Sequence, residues 1–171
     1  MEGSVLNTPF MSSLGQFDVV YSWGVLHHTG AMWQALENVL PCLAPGGQLF
    51  IAIYNDQGYI SRRWKRVKKI YCSGPLGRAV IQAIFIPYFF LPQFFLDIIK
   101  PRNPFRLYRE YKQQRGMSKI YDWYDWLGGY PFEVAKPEEI FHFYRKHNFQ
   151  LINLTTCGGG LGCNQFVFQK T

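Results

Sequence analysis

Two adjacent histidines, His27 and His28, are the side chains in this sequence best suited to proton transfer. An imidazole can take a proton from a hydroxyl or an amine near neutral pH. Both follow a short apolar run and open the next helix. The plainer alternative is that one packs beneath that helix while the other caps it or meets solvent. A second group, Asp122, Asp125 and Glu133, lies among Trp123, Trp126, Tyr130 and Phe132. Ligand pockets are commonly apolar with a few placed polar groups. Asp122, Trp126, Tyr130 and Glu133 are therefore candidate substrate contacts, with surface acids beside packed aromatics as the competing reading. The glycines of Gly158-Gly159-Gly160-Leu161-Gly162 precede no helix, so they read as a hairpin loop rather than a phosphate cradle. Cys42, Cys72, Cys157 and Cys163 form no Cys-x-x-Cys pair and read as reduced thiols; no metal site is expected.

The elements that would position these groups follow from periodicity. Phe17–Trp23 suits a buried strand of a parallel sheet. A helix is predicted over residues 30–40, with Met32, Trp33, Ala35, Leu36, Val39 and Leu40 forming its apolar face. Pro45-Gly46-Gly47 is a break, and Gln48–Tyr54 is a second buried strand. Strand, helix and strand with short joins imply a right-handed parallel crossover. Pro137-Glu138-Glu139 opens a further helix, closed near Asn148. Strands over 149–155 and 165–169 then make an antiparallel end to the sheet.

The chain has 171 residues and a formal net charge of +7, with 48% hydrophobic and 17% charged residues. That excludes a wholly disordered chain and suits a domain with a real core. No amino-terminal signal sequence is visible, and a cytoplasmic location is expected, with membrane association as the open alternative. Residues 57–135 interrupt the strand–helix rhythm and read as a mostly helical insertion over the mouth of the sheet. Six of the eight residues from Arg62 to Lys69 are basic. Trp64 and Val67 share a helix face there, a small apolar stripe among cations that suits a membrane surface. The apolar run from Ala79 to Ile99 is broken by Gln82, Pro87, Pro92, Gln93 and Asp97, which favours a buried or interfacial segment over a span. Peripheral membrane contact through residues 62–99 is weighed against a solvated basic face beside a buried lid helix. No nucleic-acid-binding motif is present.

Gly3-Ser4-Val5-Leu6 reads as the end of a strand. Phe17-Asp18-Val19-Val20 with Val25-Leu26-His27-His28, then Leu43-Ala44-Pro45-Gly46-Gly47-Gln48-Leu49-Phe50-Ile51, follow in order. With the closing antiparallel pair, this resembles the C-terminal two thirds of a class I S-adenosylmethionine-dependent methyltransferase. The resemblance covers residues 1–56 and 136–171 and leaves 57–135 as the variable substrate lid. It implies an α/β, Rossmann-like sheet, truncated at its N-terminal side, with S-adenosyl-L-methionine as cofactor. It implies adenine contact from Gly3, Ser4, Val5 and Leu6, and contact with the methionine part from Ser22, Trp23, Gly24 and Val25. An acidic residue is common where Ser4 stands. His27 or His28 would be the base.

The family's first strand and glycine-rich loop have no counterpart here. The strand at 17–23 would normally pair with that first strand, so the resemblance implies a bare parallel edge open to self-association. The expected function is methyl transfer to an O, N or C acceptor on a small or amphiphilic metabolite, by this chain or by a longer protein of which it is a fragment. The alternative is a non-catalytic, methyltransferase-like module that binds a partner or a membrane.

Overall fold

The computed structural model describes residues 2–99, 116 and 118–171. The Pro101–Pro104 part of the insertion lies outside them. Chain contacts divide the protein into two units, residues 1–63 with 131–171 and residues 64–130.

The first unit is built on a four-stranded sheet in the order β1-β2-β4-β3, where β1 is Phe17–Trp23, β2 Leu43–Tyr54, β3 Phe149–Thr155 and β4 Cys163–Lys170. β1 and β2 are parallel, and β4 runs antiparallel to both β2 and β3. Val20, Leu49 and Phe168 form one cross-strand row, and Ser22, Ile51 and Phe166 form the next. These rows face α2 (Met32–Val39) and a C-terminal helix (Pro137–Lys146), which contribute Leu36, Val39, Ile140 and Tyr144 to one apolar core. Burial of the Tyr144 ring raises its phenol well above the ordinary value. The C-terminal helix begins with the Glu139 carboxylate accepting from the Lys136 amide at 2.7 Å and ends at Asn148, which takes a left-handed φ of 61°.

Three expectations are corrected. Residues 2–4 are not in a strand. Val5 and Leu6 form a turn that feeds α1 (Thr8–Ser13), whose start is fixed by Asn7 accepting from the Phe10 amide. The Asn-Thr-Pro sequence at 7–9 is the helix-start signal behind that helix. Pro45-Gly46-Gly47 does not end an element. Leu43 already pairs with Phe17, and the next paired residues are Gln48 and Val19, so the intervening residues bulge out of β2. Glycine is required at Gly47, because a Cβ there would lie 2.9 Å from the Ala44 carbonyl oxygen. Trp33 is exposed rather than turned to the core and lies against Phe143, ring centroids 5.5 Å apart.

β1 is an edge strand among the described residues and none of its residues is fully buried, which corrects the reading of Phe17–Trp23 as a buried strand: its outer side has no neighbouring strand. Its alternate residues Phe17, Val19, Tyr21 and Trp23 point away from the core and are exposed, Tyr21 to 66%. In a doubly wound sheet both faces of an inner strand are covered.

The second unit is helical. α3 (Tyr59–Tyr71) enters it from the first unit and is followed by α4 (Pro75–Ile99) and α5 (Lys119–Gly128); the C-terminal helix of the first unit is α6. A small core of Tyr71, Ile81 and Leu127 is flanked by Trp64, Val67, Phe85, Phe89 and Trp126. The Trp64–Val67 stripe therefore packs inward. Trp64 stands 5.4 Å from both Phe85 and Trp126, which corrects the reading of that stripe as a membrane-facing one.

Candidate functional site

Parallel β1 and β2 end on the same side of the sheet, the side on which ligands bind in open α/β folds. β1 ends in Ser22-Trp23, and the chain turns at Gly24 with φ +71°. Nothing lies within 4 Å of a Cβ built at Gly24, so this turn presents open backbone. A left-handed φ with free space is where glycine permits close approach of a ligand. Val25 is exposed beside it.

The chain then forms a short 3₁₀ turn, Leu26–His28. His27 is fully buried, its ring centroid 4.2 Å from Tyr54 and 4.6 Å from His28. This is the packing role weighed for one of the pair. His28 is half-buried, and its Nδ1 lies 2.6 Å from the Pro131 carbonyl oxygen. A carbonyl only accepts, so Nδ1 carries the proton and the neutral ring keeps Nε2 as its acceptor. Of the two histidines, His28 is the one that is only partly buried and is anchored at Nδ1.

Residues 131–135 close this side of the unit. Phe132 is buried against Tyr54, ring centroids 5.1 Å apart. The Glu133 amide donates to the His27 carbonyl at 3.0 Å. Both Glu133 carboxylate oxygens accept from the Met32 amide, at 3.1 and 3.2 Å. The N-cap residue of α2, Ala31, makes no side-chain capping bond, so Glu133 supplies the acceptor and negative charge that the helix start favours.

Tyr54, Asn55 and Asp56 follow β2 at the same end. Asn55 Oδ1 accepts from Asn164 Nδ2 at 3.0 Å, and Asn164 Oδ1 accepts from the Cys157 amide at 3.1 Å. These bonds fix the loop between β3 and β4. Sequence reasoning passed over Tyr54 and Asn55. The rule that ligands sit past the carboxyl ends of strands marks them as directly as it marks Ser22–Val25.

Gly3-Ser4-Val5-Leu6 is held by Asn38 of α2, whose Nδ2 donates to the Val5 carbonyl at 2.9 Å and whose Oδ1 accepts from Thr8 Oγ1 at 3.0 Å. Ser4 Oγ accepts from the Leu6 amide at 3.2 Å. Gly3 and Ser4 are exposed.

The other substrate candidates belong to the second unit. Asp122 lies in the first turn of α5 and Tyr130 is exposed just past its end. Trp126 packs against Trp64, and its ring has Lys68 Nζ 3.8 Å from its centroid. The same ammonium donates to the Trp126 carbonyl, one of the last carbonyls of α5. Trp126 and Lys68 thus make a structural contact within this unit. Among the described residues no group of three His, Cys, Asp or Glu side chains could hold a metal ion.

Residues 2–49 match a family model described as a methyltransferase domain. No curated protein matches the chain. Among solved structures, an O-methyltransferase family protein from Burkholderia thailandensis is similar with a TM-score of 0.50 at 11% identity, covering 100% of this chain and 35% of that one. PKMT2 from Rickettsia typhi, solved in complex with AdoHcy, is similar with a TM-score of 0.54 at 13% identity, covering 99% of this chain and 38% of that one. At these identities the likeness is one of fold, and the chain spans little more than a third of either structure.

Proposed function

We propose that this chain, whose residues 2–49 match a methyltransferase domain, belongs with the class I methyltransferases and takes part in S-adenosylmethionine-dependent methyl transfer, forming one side of the cofactor and acceptor site. The observation that carries the reading is the open Gly24 turn at the carboxyl end of β1, running directly into the His28–Pro131 pair. The AdoHcy bound to the Rickettsia relative supports S-adenosylmethionine as the donor. That cofactor supplies an already activated methyl group, so the protein's task is positioning.

The residues fit the group in part. Ser22-Trp23-Gly24-Val25 offers accessible backbone for the methionine part. The Gly3–Leu6 segment, pinned through Asn38, offers its exposed residues Gly3 and Ser4 toward an adenine ring. His28 Nε2 is the acceptor for a proton from a hydroxyl or amine substrate, and Tyr54 and Phe132 give that place an aromatic wall. The acceptor class that suits such a wall is a small or amphiphilic metabolite with an O, N or C nucleophile.

The exposed row on β1 favours a second reading, in which the chain is a non-catalytic module that pairs through its sheet edge. Titration calorimetry of the folded chain with S-adenosylhomocysteine separates the two. Micromolar binding, weakened about tenfold by Gly24→Ala through left-handed strain, is the outcome expected of a cofactor site. A folded chain that takes up no heat leaves the second reading.

A further inference from the structure

α4 has two apolar faces, and among the described residues only one is packed. Ile81, Phe85 and Phe89 pack in the small core of the helical unit. Leu76, Val80, Ile84, Tyr88, Leu91 and Phe95 recur at steps of three and four residues and are all exposed, Leu76 to 80%. Such spacing lays them along one stripe of the helix. From Pro75 to Leu96 the helix is long and apolar enough to cross a bilayer, yet only 12% of its most apolar window is buried within the protein. An apolar surface of this extent on a soluble protein marks an interaction site.

The charge on the neighbouring helix points to the partner. On α3, Trp64, Val67, Lys68 and Tyr71 face the core of the unit. Arg62, Lys65, Arg66 and Lys69 fall at helical spacing on another face and are exposed. The two helices pack through Trp64, Phe85 and Phe89. We infer that α3 and α4 form a docking element for the surface of an anionic lipid bilayer, α4 entering the acyl boundary and the cations of α3 meeting headgroups.

Other occupants suit the two faces less well. A second copy would bring its own cationic face to the contact. A nucleic acid would leave the aliphatic stripe of Leu76, Val80 and Ile84 without a complementary surface. A full crossing would draw the packed face of α4, with Trp64 and buried Lys68 behind it, into the bilayer.

The test is flotation of the full chain with vesicles of phosphatidylcholine alone and with phosphatidylglycerol added. Three forms are compared: wild type, Lys65→Glu with Lys69→Glu, and Val80→Ser with Ile84→Ser. All four side chains are exposed, so circular dichroism should match across the three. Wild type is expected to float with the anionic vesicles and to release in high salt or alkaline carbonate. Each cation near an anionic surface contributes about fivefold, so the charge variant should bind at least tenfold more weakly, and the serine variant should also lose binding. The inference is overturned if folded wild type stays off anionic vesicles at low salt, if both variants bind like wild type, or if carbonate fails to extract the chain. Self-association or RNA binding that removes the same residues from solution, with no vesicle binding, overturns it as well.

Discussion

His28 Nδ1 and the Pro131 carbonyl oxygen lie 2.6 Å apart, a contact that joins the turn after β1 to a segment more than a hundred residues along the chain. It anchors the imidazole through Nδ1, so that Nε2 is the atom to which the proposed function gives the acceptor's proton. In a preparation that turns over, His28→Ala should lower kcat by about 10²–10⁴ and leave S-adenosylhomocysteine affinity within about twofold of wild type. A loss of affinity with unchanged kcat would assign His28 to the cofactor side instead.

Glu133 is a long-range helix cap in its geometry, both oxygens reaching the Met32 amide. Glu133→Ala should destabilise the first unit by about 1 kcal/mol, read as a lower urea midpoint with the same slope. Glu133→Gln keeps an oxygen acceptor and should recover most of the loss. Equal losses in the two variants would mean that the carboxylate charge matters more than the hydrogen bond.

Lys68 is almost fully buried, and burial pushes its ammonium down to about 8, against smaller opposing effects of Asp125 and Cys72. A buried lysine with a lowered value releases its proton before the same lysine does in the unfolded chain. Between about pH 8 and 10.5 the unfolded state therefore binds more protons, and this group's contribution makes folding more favourable as pH rises. Cys163 acts in the opposite sense above pH 9, because burial raises its thiol to about 11. The comparison that isolates Lys68 is wild type against Lys68→Met. The stability difference in favour of wild type should grow by about 2–3 kcal/mol from pH 7 to 10. A difference that stays constant would mean that Lys68 is solvated.

The β1 edge carries Val19 and Tyr21 in the open. Charged residues on an edge strand suppress edge-to-edge pairing. Sedimentation velocity should show wild type associating as concentration rises, and Val19→Lys with Tyr21→Lys remaining monomeric at the same loading. Identical profiles would move any association away from this edge.

The sequence by itself determined the sheet. Apolar runs at 17–23 and 48–54, a helical period between them and two strands around a glycine loop allow little but a parallel pair closed by an antiparallel one, because side-chain period is a local property. It also marked Ser22–Val25 and the two histidines, since their place at a strand end is a matter of order along the chain. Tertiary structure decided which histidine is buried, because His27 and His28 are neighbours of the same type: the fold packs His27 against the Tyr54 ring with no exposure and holds the half-buried His28 at the Pro131 carbonyl. It likewise assigned Glu133 to the start of α2 and Trp126 to Lys68, contacts between residues far apart in sequence that no spacing records. In sequence α3 carries a small apolar stripe among cations and α4 a nearly continuous apolar run, and neither pattern says which side is packed. Packing around Trp64, Phe85 and Phe89 uses the first and leaves part of the second exposed, because the core of the described residues covers only one face of a 25-residue helix.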